Sequence, residues 1–153
     1  MKIIITTFLL LLISSISFSQ RGNLQVTYMR DINFQQIIPG VQKIISENSQ
    51  DAGKFMITGD GTRMVVSVTF SFSKNVSNGI TELPVRYTAE QSFNSNDVTP
   101  GTSFDPYAGT TLIFDDKVKN YLIKIGGTIK PLKKQTSGNY TAPIIMILTI
   151  LSN

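Results

Sequence analysis

The stretch RMVVSVTFSFS alternates with a period of two, with Val66, Val68, Phe70 and Phe72 pointing one way and Ser67, Thr69, Ser71 and Ser73 the other. Successive side chains leave a β-strand on opposite faces, so this pattern describes a strand with one oily and one wet side, and the oily side needs a second layer over it. Other segments repeat the theme. LQVTYM puts Leu24, Val26 and Tyr28 on one face, and INFQQII offers Ile32, Phe34 and Ile37 before a turn at Pro39-Gly40. VQKIISE, KFMITG, ELPVRYTAE and TLIFDD read as short strands, and NYLIKIGGTIKPL alternates Tyr121, Ile123 and Ile125 up to Gly126-Gly127, where a bulge or sharp bend is expected. No segment keeps a helical period. Short strands with turns at intervals of roughly ten residues predict an all-β antiparallel sandwich or barrel.

The oily run Ile144 to Leu151 near the C-terminus is far shorter than the roughly 20 residues of a membrane helix, is rich in isoleucine, and follows Pro143. It reads as a strand. Tyr140, Ala142, Ile144, Met146, Leu148 and Ile150 make a face fit for the core. The opposite face carries Ile145, Ile147 and Leu151, too apolar in its middle for water, so a loop, another strand or another molecule is expected over it.

At the other end, MKIIITTFLLLLISSISFSQ has the layout of a secretory signal peptide: basic Lys2, an apolar core from Ile3 to Ile13, and small Ser17 and Ser19 before Gln20. The expected organisation is a cleaved signal over residues 1–19 and one β-sandwich domain over 20–153, secreted to the periplasm or cell surface, with no transmembrane span.

Composition then removes chemistry. With no cysteine there are no disulfides or thiolate-bound metals, and with no histidine there is no Ser-His or Cys-His nucleophilic site and no imidazole ligand for zinc. Asp115 and Asp116, in DDKVKN, fit a turn between strands better than a catalytic pair. Asp97 and Asp105, in NSNDVTPGTSFDP, lack the spacing of an EF-hand loop. GDGTR has no lysine-serine ending for a phosphate loop, and its Asp60-Gly61 reads as a hairpin turn. No enzyme, cofactor or metal is expected. Lys117, Lys119, Lys124, Lys130, Lys133 and Lys134 cluster in sequence with only Tyr121 interleaved, which favours solvated strand faces over nucleic-acid binding and leaves a surface polysaccharide as an open partner.

INFQQIIPG, then GKFMITGDG, then IGGTIKPLKKQTSGNYTAPIIMILTI resemble, in order and spacing, the bacterial family called domain of unknown function forty-four-oh-two, which groups secreted β-domains similar to pilin-like fibre subunits and the spore coat protein U group. Its most specific residues here are Gly126, Gly127, Gln135, Gly138 and Tyr140; Gln35 departs from it, standing where a glycine is usual. The resemblance implies an immunoglobulin-like, pilin-like sandwich and carries over no catalytic residue. In chaperone-usher pilins a neighbour's N-terminal strand completes such a sandwich. Gly138 and Ile150 have about the spacing of the glycine and aromatic of a pilin's last strand, without the aromatic, and Leu24, Val26 and Tyr28 read either as a donor strand or as the domain's own first strand. The expected function is a non-enzymatic structural subunit or accessory of a bacterial surface fibre or outer-surface layer, self-associating with copies of itself or related subunits through strand edges and apolar faces. The alternative is a monomeric secreted module that binds carbohydrate or a cell surface.

Overall fold

Antiparallel pairing organises all the strands of the computed structural model, which describes residues 22–93 and 101–152. In chain order they are β1 (Leu24–Arg30), β2 (Lys43–Ile45), β3 (Gly53–Gly59), β4 (Met64–Phe72), β5 (Asn75–Ser77), β6 (Glu82–Ser92), β7 (Thr102–Phe104), β8 (Thr110–Phe114), β9 (Asn120–Ile129) and β10 (Ile144–Ser152). The signal-peptide residues, together with Asp97, lie outside the described residues. Seven strands form one sheet along β1-β3-β9-β6-β5; β2 pairs with β9 and β7 with β6. Because β6 occupies one side of β9 from Leu122 to Ile129, β2 and β3 must share the other, joined by the 46–52 loop. The second sheet has three strands in the order β10-β4-β8. No helix among the described residues is long and apolar enough to cross a membrane.

The alternation in β4 sets the layering. Met64, Val66 and Val68 are fully buried against the larger sheet, whose inward residues include Phe55, Ile57, Tyr121, Ile123, Ile125 and Tyr87. Phe72 stacks on Tyr87 at 4.4 Å, and Phe114 of β8 meets Tyr121 edge-on at 5.0 Å. Burying side chains of this size contributes about 1.5–3 kcal/mol each, so this interface supplies the main stabilisation of the fold.

Three expectations need correction. INFQQII is not a strand, although Ile32, Phe34 and Ile37 are all core residues. Gln35 adopts a left-handed backbone with φ of 50°, and Asn33 Oδ1 accepts the Gln35 N–H, so the segment coils across the inner face as a plug. That is where the family resemblance places a glycine, the residue to which this conformation costs least. Gly126 and Gly127 are not a bulge either, since pairing with β6 runs through them without a shift. A Cβ on Gly126 would lie 2.5 Å from the Ile45 carbonyl oxygen, too close for any side chain, while one on Gly127 would press on the Phe34 ring at 3.1 Å. Finally, GDGTR does not close a hairpin. β1 and β9 already flank β3, so the chain arches at Asp60 into the other sheet. Asp60 fixes the arch by accepting N–H bonds from Asn23 and Thr62, which hold its carboxyl below the usual value.

Gln135 and Tyr140, two of the residues that carry the resemblance, meet in one hydrogen-bonded knot around the buried Tyr140 ring. The Tyr140 hydroxyl donates to the Thr136 carbonyl at 2.8 Å and lies 2.6 Å from Thr81 Oγ1, while Gln135 Nε2 donates to both hydroxyls. Gly138 sits beside it, its carbonyl accepting the Ile37 N–H. The knot ties the approach to β10 onto the larger sheet.

Candidate association surface

β10 emerges from that knot as an edge strand. It pairs with β4 from Ile144↔Phe72 to Ile150↔Val66, shifts register before Ser152, and has no partner strand on its other side among the described residues. Tyr140 and Ala142 are buried, and Ile144, Met146 and Leu148 are half-buried against the core as expected. Ile150 departs from its expected core position, being 44 % exposed next to the register shift. On the outward face Ile145 and Ile147, 59 % and 50 % exposed, stand opposite Ser71 and Thr69 of β4, and Leu151, 59 % exposed, lies at the register shift beyond them. No described residue covers them.

The edge itself is unprotected. Lysines, inward charges and prolines normally blunt an exposed strand edge, because its free N–H and C=O groups otherwise template pairing with another chain. Pro143 precedes β10, but IIMILTILS carries no charge over nine residues. β1 is a second edge, held only by β3. Its Val26 and Tyr28 pair with buried Ile57 and Phe55, yet remain 45 % and 53 % exposed, so only half of each is covered on the core side. Leu24, Val26 and Tyr28 pair here with β3 of the same chain, and Tyr28 meets Phe55 edge-on at 5.7 Å.

The remaining candidates disperse. Asp115 Oδ1 accepts the Lys117 and Val118 N–H groups, which makes the expected turn and holds its carboxyl below the usual value. Asp105 caps its own turn by accepting the Tyr107 N–H. Lys117, Lys119, Lys130, Lys133 and Lys134 are exposed. Lys124 is the exception and corrects the expectation of solvated lysines: it is fully buried on the outer face of the larger sheet, 2.8 Å from the Glu90 carboxylate. Nothing in the local sequence signals this, because Lys124 occupies the polar phase of an ordinary alternation and its partner lies on another strand.

A groove of ≈ 440 Å³ with a mixed lining lies beside the gap that β5 and β7 leave along the edge of β6; Glu47, Arg86 and Asp105 supply its charged groups, and Phe104, Pro106 and Tyr107 its apolar wall. The Tyr107 hydroxyl fills part of that gap by accepting the Tyr87 N–H at 3.0 Å. Burial, with Tyr107 adding to it, pushes the Tyr87 hydroxyl up to about 12, so it stays neutral in the usual pH range. Compared with known proteins, the chain matches no family model and no curated protein. The family resemblance therefore rests on the motif residues alone.

Proposed function

We propose that this protein is a secreted, non-enzymatic structural subunit or accessory of a bacterial surface fibre or outer-surface layer, with an immunoglobulin-like, pilin-like sandwich that associates through strand edges and apolar faces. The observation that carries the reading is β10: a nine-residue, uncharged edge strand with Ile145, Ile147 and Leu151 exposed beside it. A second copy is the simplest partner. Two antiparallel β10 edges related by a two-fold axis would join two three-stranded sheets into one, and the outward isoleucines of each would extend the other's apolar row. The edge of β1 offers a second site, which would let contacts propagate beyond a dimer.

Light scattering of the exported protein over a range of concentrations tests this. Mass that grows with concentration, and a folded Ile147→Lys variant that stays smaller, are the expected results. A strict monomer would favour the second reading, a carbohydrate-binding or cell-surface-binding module. The groove at Arg86 favours that alternative, since carboxylates and hydroxyls beside the exposed Tyr107 ring suit a sugar.

A further inference from the structure

Buried on the face of the larger sheet away from the core, Lys124 Nζ lies 2.8 Å from Glu90 Oε1 and donates a short, 2.5 Å hydrogen bond to Asn48 Oδ1. Lys124 and Glu90 are register partners on neighbouring strands β9 and β6, so the strand pairing itself holds the amine against the carboxylate. Asn48 comes from the exposed loop joining β2 to β3, and its side chain reaches inward to the amine. That loop is braced: the Asn48 N–H bonds Ser46 Oγ, and Ser49 N and Ala52 N bond the carbonyls of Ser46 and Ser49. A primary amine, a carboxylate within proton-transfer distance and a carboxamide touching the amine are the components of an acyl transfer, held together with little freedom.

We propose that Lys124 and Asn48 join in an intramolecular amide bond, with Glu90 as the proton carrier. The Lys124 ammonium gives a proton to Glu90 Oε1, and the freed Nζ lone pair attacks Asn48 Cγ. The tetrahedral centre expels Nδ2 as the Cγ–Nδ2 bond breaks. Nδ2 takes up the proton held by Glu90 and a second one lost by Nζ, and leaves as ammonium. Glu90 returns to carboxylate, the chain loses one ammonia, and no oxidant or other reactant is consumed. The link would tie the β2–β3 loop to the middle of β9, across 76 residues of sequence, in a chain that has no cysteine to cross-link. It does not depend on whether copies of the protein assemble.

Intact mass and tryptic mapping of the folded, exported protein test this. The expected result is a mass lower than the sequence mass by one ammonia, and a branched peptide joining residues 44–54 to the segment that begins at Asn120, uncut at Lys124. Glu90→Gln and Lys124→Arg, checked for folding by circular dichroism, are expected to restore the full mass and the separate peptides. Asn48→Asp is expected to lose one water instead. A folded wild-type protein with full mass and separate peptides would overturn the proposal, and a Glu90→Gln variant that still forms the link would overturn the role of Glu90.

Discussion

Gln35 shows how much one residue can redirect a strand pattern. Its segment has the alternation of a strand, yet a left-handed residue turns the chain so that Ile32, Phe34 and Ile37 plug the core instead of joining a sheet. Gln35→Val, placing a β-branched side chain in that conformation, is expected to cost about 1–3 kcal/mol by denaturant unfolding, whereas Gln35→Gly should leave stability within about 1 kcal/mol of wild type. Gly126→Ala would push a Cβ into the Ile45 carbonyl and should cost about 1–3 kcal/mol through overpacking. The carboxyls of Asp60 and Asp115 are held below their usual value of 3.8 by backbone N–H groups. A folded-state value lower than the unfolded one contributes stability that is present above the unfolded value and is lost as pH falls through the folded one. The unfolding midpoint should therefore drop as pH falls below about 4, and less steeply in Asp60→Asn and Asp115→Asn, which lack the titrating group. The chemistry of these residues was legible only in part. The turn at Asp115 was readable from its composition, but the pairing of Lys124 with Glu90 and Asn48 was not, because register between distant strands brings them together.

Single elements were easier to read than their neighbours. β4 and β10 have the strand character and the inward and outward faces that alternation assigns, up to the register shift at Ile150. Their place in the sheets was not legible, since alternation states which way a side chain points and nothing about which strand lies alongside. Thus GDGTR, with the residues of a hairpin turn, carries the chain between sheets, and the short β7 lies in a segment whose prolines, glycine and polar residues read as loop. The two faces of β10 give a direct contrast. Leu148→Asp would place a charge among the half-buried apolar residues of the inward face, at a cost of several kcal/mol against the roughly 5–15 kcal/mol that holds a domain together, and should abolish the cooperative thermal transition. Ile147→Lys puts its charge in solvent and should keep the β circular dichroism spectrum with a melting temperature close to wild type.

For the molecule as a whole, the all-β, antiparallel, sandwich-like arrangement agrees with the sequence reading. The proposed function makes the free edge of β10 the place where copies meet, and edge pairing would hide backbone N–H groups that are open in the isolated domain. Hydrogen exchange of the 144–152 segment, followed by mass spectrometry at increasing protein concentration, reads this most directly. The account expects exchange in that segment to slow as concentration rises, with the central strand β9 unchanged, and expects Ile147→Lys to weaken the effect. Exchange in 144–152 that stays the same at every concentration, whether or not particles form, would contradict association through β10.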